Sequence, residues 1–459
     1  MNKNELIPSA RRLIHSLRDM GYEFASAVAD LVDNSIEAGA TFVAIDVEFD
    51  GDDSWVRIAD NGRGMAPSEL REALRYGAER DYEEEDLGKF GLGLKTASLS
   101  QCRRLTVASR TNPQRAVVAA FCWDLEHIGT TDRWEILPVG PGETGPSVRS
   151  PLKDTTGTVV LWQRLDRMLG YQLPYGLIAR KRMLAMCREL ESHLGMVFHR
   201  FIAGEVRSNK LKILVNGNEV TPWDPFARDE KKTKVRASAE LEVEHEGIKG
   251  VVKIEPFVLP HQQDFSSPES FRRASGPANW NQQQGFYIYR AGRLIQSGGW
   301  CRLRTVDEHT KLARIAIGFN PVLDEAFKIN VAKMRVQMPP QIREEVLRLL
   351  TPVIRLAQET YRKRSPDPAP APAPAAPAPS ASPPTIRPAG PSPTSPAPRP
   401  DTSLSNGPAR NPDHAGDERW SLVDLQRQLE EVAEPAEKPV IARVFTRLRT
   451  RMNGKGTGR

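Results

Sequence analysis

The sequence is poor in cysteine, in long apolar runs and in charge of one sign. Only four of its 459 residues are cysteine (Cys102, Cys122, Cys187 and Cys301). They are widely scattered and lack metal-ligand spacing, so they read as small buried side chains in a reducing cytosol rather than as a disulfide framework or a metal site. No apolar run approaches the roughly 20 residues that span a bilayer. The opening stretch MNKNELIPSARRLIHSL has no continuous apolar core, so no secretory signal is expected there. These absences predict a cytoplasmic protein with no membrane partner. The charge excess is small: 64 basic minus 58 acidic residues gives +6. It points to an acidic partner only where basic residues cluster. What remains, 39% hydrophobic and 27% charged, is ordinary for a globular chain of two or three domains.

Composition divides the chain into four parts. Residues 1–205 alternate helical and strand patterns, and residues 206–362 do the same with more strand character. Residues 363–416 lose almost all large apolar side chains; between Ser365 and Pro400, 24 of 36 positions are Pro or Ala. Such a stretch has no surface with which to build a core and is expected to be a disordered, extended linker. In residues 417–459, Leu422, Leu425, Leu429 and Val432 fall at helical spacing behind a capping pair, Ser421 and Asp424. One short helix is not stable alone, so a protein partner for it is expected. The end of the chain carries Arg443, Arg447, Arg449, Arg451, Lys455 and Arg459 without an acid, which suits either a nucleic-acid or acidic-protein contact or a solvated terminus.

Four segments carry chemistry. Tyr22–Ala38 reads as a helix with Phe24, Val28, Leu31, Val32 and Ile36 on its apolar face. Asp30 and Asn34 lie four apart and project from one side, whereas helical spacing turns Asp33 away from them. Gly39 ends the helix. Val43, Ile45, Val47 and Phe49 alternate as a strand, and Val56 and Ile58 as its partner. The second strand runs into Asp60-Asn61-Gly62-Arg63-Gly64-Met65, where Asp60 at a strand end can accept a hydrogen bond and the glycines allow close backbone approach. Gly88-Lys89-Phe90-Gly91-Leu92-Gly93-Leu94-Lys95-Thr96 is a glycine-rich run opening a helix, an arrangement that offers backbone N–H groups and a helix dipole to a phosphate. Thr156-Gly157-Thr158 is a turn leading into a strand.

In this order and spacing the four segments resemble the motifs of the GHKL ATPases, the superfamily of DNA gyrase B, the ninety-kilodalton heat-shock chaperone, histidine kinases and the mismatch-repair protein MutL. The resemblance is to MORC proteins and their bacterial relatives first and to MutL next. It implies an α+β fold: an N-terminal Bergerat-type α/β sandwich, a smaller transducer-like α/β domain, and the disordered tail. It also implies roles. Asn34 would hold the Mg²⁺ that bridges the ATP phosphates. Asp60 would accept from the adenine amino group, with Ala38, Gly62, Gly64 and Met65 packed around the base and Thr158 supporting Asp60. Gly88, Phe90, Gly91, Leu92, Gly93, Leu94, Lys95 and Thr96 would cradle the phosphates. The general-base position, usually glutamate, is Asp30 here, one methylene shorter, so slow hydrolysis is expected.

Leu211–Val220 and Phe286–Ile295 read as strand–turn–strand units with Asn216-Gly217 and Ala291-Gly292 at the turns. Phe327–Val336 resembles the transducer loop whose lysine reaches the γ-phosphate, which assigns that role to Lys333. Arg180, Lys181 and Arg182 on a long helix, and Arg228, Lys231, Lys232, Lys234 and Arg236 in a loop, form basic clusters that suit a DNA backbone or are simply solvated. His261–Gln284 reads as a long polar insertion. The resemblance implies an ATP-gated homodimer acting as a switch or clamp on duplex DNA, in a genome-defence setting. The alternatives are a chaperone-like ATPase on protein clients and a nucleotide-binding interaction module with little turnover.

Overall fold

The computed structural model describes residues 8–19, 22–77, 93–114, 118–143, 148–168, 175–206, 209–329 and 336–362. Gly88, Phe90, Gly91, Leu92, Lys333 and the expectations for the Pro/Ala-rich stretch and the C-terminal helix and tail lie outside the described residues.

The first sheet is built from β1 (Phe42–Glu48), β2 (Trp55–Asp60), β3 (Arg104–Arg110), β4 (Ala119–Asp124), β5 (Leu137–Pro138), β6 (Gly157–Gln163), β7 (Lys212–Val215) and β8 (Asn218–Glu219), in the order β5-β4-β3-β6-β2-β1-β7-β8. All neighbours are antiparallel except β1 and β7, which run parallel with Val43 opposite Ile213. Helices cover one face: α1 (Ala10–Arg18), α2 (Phe24–Glu37), α3 (Pro67–Leu74), α4 (Gly93–Leu99), α5 (Leu125–Thr131) and α6 (Leu177–Val197). Cys122, Val139, Val148, Leu152 and Val159 pack on the other. The fold is therefore a layered α+β sandwich.

Among the helices, α2 is the anchor. Val28, Leu31, Val32 and Ile36 are buried, and each contributes about 1.5–3 kcal/mol of apolar burial. Phe24 meets the fully buried Trp162 of β6 edge-on at 6.3 Å. The helix stops where Gly39 turns left-handed at φ +74° and its N–H bonds Ile36 O, a conformation that costs glycine little.

The Leu211–Val220 hairpin forms as expected, with Asn216 and Gly217 both at positive φ, but it joins the first sheet. That sheet therefore runs to Glu219, beyond residue 205, because β7 finds its partner in β1. The second, mixed sheet contains β9 (Lys234–Val235), β10 (Ala239–His245), β11 (Ile248–Val258), β12 (Gly285–Arg290), β13 (Arg293–Ser297) and β14 (Ala313–Phe319). Its order is β10-β11-β14-β12-β13, with β9 on β11 and β12 parallel to β14. After a short α7 (His199–Ala203) and α8 (Pro268–Ala274), the long α9 (Pro340–Arg362) covers this sheet with Ile342, Val346, Leu350, Val353 and Ala357.

The polar segment 261–284 is more ordered than an insertion loop. Ser267 caps α8 through Ser270 N–H. Phe265, Phe271 and Trp280 cluster there, the last two stacked at 4.7 Å. The basic loop before β9 is partly neutralised: Lys232 pairs with Asp264, and Arg228 with Glu205 and Asp224. Among the described residues no helix is long and apolar enough to cross a membrane.

Candidate functional site

The site begins where β2 runs out. Asp60 Oδ1 accepts from the N–H groups of Gly62 at 2.9 Å and Thr158 at 3.2 Å, and Oδ2 accepts from Ser35 Oγ at 3.1 Å. The carboxylate thus ties the C-terminal half of α2 to the ends of β2 and β6. Burial pushes its pKa above the ordinary aspartate value, while the three hydrogen bonds favour the ionised form and oppose that rise.

Around it the backbone is tightly interleaved. A Cβ on Gly62 would fall 2.7 Å from Ala38 Cβ, and one on Gly64 (φ +69°) would fall 2.1 Å from Arg110 O. Both positions therefore require glycine. Met65 N–H donates to Ser109 Oγ at 2.8 Å, and that hydroxyl also lies 2.9 Å from Thr158 Oγ1. Asn61 serves the scaffold: its Oδ1 accepts from the N–H groups of Thr41 and Phe42.

On α2, nearly every residue from Ser26 to Ile36 is buried; Asn34 alone is exposed. Asn34 is thus the α2 side chain that the described residues leave to solvent. Asp30, one turn earlier, is 3% exposed. Tyr22 donates to its Oδ2 at 2.9 Å, and a Cβ on Gly93 would lie 3.8 Å from the same oxygen. The start of α4, with Leu94 and Thr96, therefore faces the Asp30 end of α2.

Asp33 does not turn away from Asp30. Arg293, from β13 of the second sheet, donates through Nε to Asp33 Oδ1 at 2.8 Å and places Nη2 3.6 Å from Asp30 Oδ1. Residues three apart on a helix share a face, and the guanidinium fork spans both. The buried tyrosine, the arginine, and the serines at 35 and 109 were not singled out from sequence. Ser35 carried a signal in its position beside Asn34. Arg293 carried none, being 260 residues from its partner.

Lys95 is placed differently from a phosphate ligand at the surface. It is 1% exposed, and Nζ donates to Ala73 O at 3.0 Å and Arg75 O at 2.6 Å, 5.6 Å from the Tyr76 ring. Trp123 Nε1–H donates to Leu74 O between them. The last carbonyls of α3 have no intrahelical partner, and a cation there also meets the negative end of the helix dipole.

Burial pulls the Lys95 pKa down to about 8, with the Glu72 charge opposing that fall. Because the folded value lies below the unfolded one, the unfolded chain binds the extra proton between pH 8 and 10.5. Stability then rises with pH through that window. Lys95→Met lacks the effect. Urea denaturation near pH 7 and again above pH 10 should show the wild type gaining on the variant by on the order of 3 kcal/mol at most. A gap that does not move contradicts this placement.

Comparison with known proteins fits this geometry. Residues 22–158 match the family described as "Histidine kinase-, DNA gyrase B-, and HSP90-like ATPase". The chain is 42% identical to the DNA mismatch repair protein MutL of Pseudoalteromonas translucida over 102 residues, 21% of this chain and 16% of that protein. It is 39% identical to MutL of Actinobacillus succinogenes over 113 residues, 24% of this chain and 18% of the relative. It is 42% identical to MutL of Pasteurella multocida over 121 residues, 25% and 19% respectively. The matched stretch therefore spans under a fifth of the length of these relatives. Residues 22–158, which bring together Asp30, Asn34, Asp60, Gly93 and Thr158, are accordingly a GHKL ATPase domain with a distant likeness to the N-terminal region of MutL.

Proposed function

We propose that this protein binds Mg-ATP in the domain of residues 22–158 and hydrolyses it slowly, using the nucleotide to gate self-association on duplex DNA. The observation that carries the reading is the Asp60 carboxylate. It is fixed at a strand end by Ser35, Gly62 and Thr158, next to the one exposed amide of α2. A rigid acceptor at a strand end suits an adenine amino group, around which Ala38, Gly62, Gly64 and Met65 would pack.

Asn34 suits a magnesium ion, since its residue is exposed and its amide oxygen is the hard type of ligand magnesium takes. The ion, when bound, would neutralise phosphate charge. Asp30 is the group that would orient and deprotonate the attacking water, and the amides opening α4 would face the phosphates. Lys333 would reach the γ-phosphate from the second domain. The relatives are named for DNA mismatch repair. A DNA target for this chain extends that to the basic clusters on α6 and before β9.

A second reading, a nucleotide-binding module with little turnover, is favoured by the burial of Asp30 beneath Tyr22 and Arg293.

ATP hydrolysis measured with and without duplex DNA across a salt series tests the proposal. Stimulation that fades as salt rises is expected, because phosphate contacts release counterions. Asp30→Ala should abolish turnover yet retain Mg-ATP binding, whereas Asn34→Ala should weaken binding as well. Absence of DNA binding at low salt removes the DNA clamp. Unchanged turnover in Asp30→Ala removes that residue from the chemistry.

A further inference from the structure

The second sheet reaches α2 of the nucleotide domain through a buried side chain. Arg293 opens β13, directly after the Ala291-Gly292 turn, and its side chain is 4% exposed. Its guanidinium lies between Asp33, which it hydrogen-bonds at 2.8 Å, and Asp30, 3.6 Å away, with the Phe198 ring 5.8 Å from its centre. The positive charge is also felt by His193 of α6, whose pKa is pushed down to about 4 by burial first and by Arg293 second. Tyr22 holds the other oxygen of Asp30. Two carboxylates three residues apart repel in a buried site, and a planar fork that spans both fixes their rotamers.

We propose that Arg293 is the positioning residue for Asp30, so that hydrolysis proceeds only while the second sheet is seated on α2. The proposal rests on the reading of Asp30 as the group that activates water. Arg293 acts through Asp33 and Asp30. Movement of the second sheet withdraws the guanidinium and frees the Asp30 side chain to leave its hydrolytic rotamer. Nucleotide affinity, carried by Asp60 and Asn34, neither of which Arg293 is seen to bond, is left alone. The hairpin thereby reports the seating of one domain to the chemistry of the other.

The full-length protein is assayed for ATP affinity by calorimetry and for kcat and KM by phosphate release. Arg293→Ala should lower kcat at least about tenfold while KM and Kd for ATP stay within about threefold, a split that a general loss of structure does not give. Arg293→Lys should recover part of kcat, since it keeps the charge without the fork. Because Arg293→Ala removes the positive charge between two buried carboxylates, a double variant, Arg293→Gln with Asp33→Asn, removes one charge of each sign and so keeps the net charge of the cluster unchanged; its kcat should stay low at wild-type ATP affinity. Wild-type kcat in the alanine variant or in the double variant overturns the proposal, as does a fall in kcat matched by an equal fall in affinity. If the unmodified protein binds no ATP, the nucleotide reading fails and this proposal with it. If it hydrolyses ATP and Arg293→Ala does so equally, only the proposal fails.

Discussion

Asp60→Asn is expected to reduce ATP affinity roughly 100-fold, the scale of losing one charge-assisted hydrogen bond and gaining a mismatched donor, while leaving the fold intact. The two carboxylate oxygens are engaged differently. Oδ1 accepts two backbone N–H groups, from Gly62 and Thr158. An asparagine must place its oxygen there, because an NH₂ group would face two donors. Its Nδ2 then takes the position of Oδ2. Ser35 tolerates the exchange, since a hydroxyl accepts as well as donates. An adenine amino group does not, because donor then meets donor. The corollary is a change of preference: a 6-oxo purine such as inosine triphosphate should lose far less affinity in Asp60→Asn than ATP does. Calorimetric titration of both nucleotides into both proteins, with melting curves as the control for folding, measures it. Equal losses for the two nucleotides would remove Asp60 from base recognition.

The contrast between Asp60 and Arg293 shows how far the sequence could be read. Asp60 was legible because each of its determinants is local: alternating Val56 and Ile58 make the strand, and the glycines at 62 and 64 make the close approach. The same holds for α2, whose apolar spacing and terminal Gly39 place it within two residues of the observed Phe24–Glu37. Asp33 was expected to turn away from Asp30 and Asn34, and there the reading misled. Residues three apart also share a helix face, and a guanidinium from β13 spans Asp30 and Asp33; no local pattern reports a partner that distant. Lys95 has the same lesson in smaller form. The glycine run before it suggested a phosphate ligand, whereas the open carbonyls at the end of α3 and the Tyr76 ring supply an alternative berth. Strand pairing escaped for a related reason. The Asn216-Gly217 turn announced a hairpin, but nothing in it says that β7 lies parallel to β1.

The second sheet depends on a pair of charges hidden within it, and Asp324→Ala is expected to destabilise the protein by about 3–5 kcal/mol, the range for breaking a buried ion pair from one side. Arg290, at the end of β12, donates from Nε to Asp324 Oδ1 at 2.7 Å and from Nη2 to Oδ2 at 2.8 Å, with side chains 2% and 4% exposed. Removing the carboxylate leaves the guanidinium buried with its main counter-charge gone, which costs more than the pair itself contributes. Replacing both ends, Arg290→Met with Asp324→Leu, removes the two desolvation costs together and should recover most of the loss. Urea unfolding of the single and double variants decides the matter: a double variant as unstable as Asp324→Ala would mean that the pair is needed for its geometry rather than for charge balance. The geometry in question is specific. Asp324 sits in the turn after β14, its carbonyl accepts from Ile329 N–H, and Phe319 and Phe327 stack at 3.9 Å across that turn. The same β12 leads directly into the hairpin that presents Arg293. A variant that loosens this turn should therefore also lose turnover before it loses ATP affinity, because β13 belongs to the second sheet whereas Asp60 and Asn34 belong to the first domain.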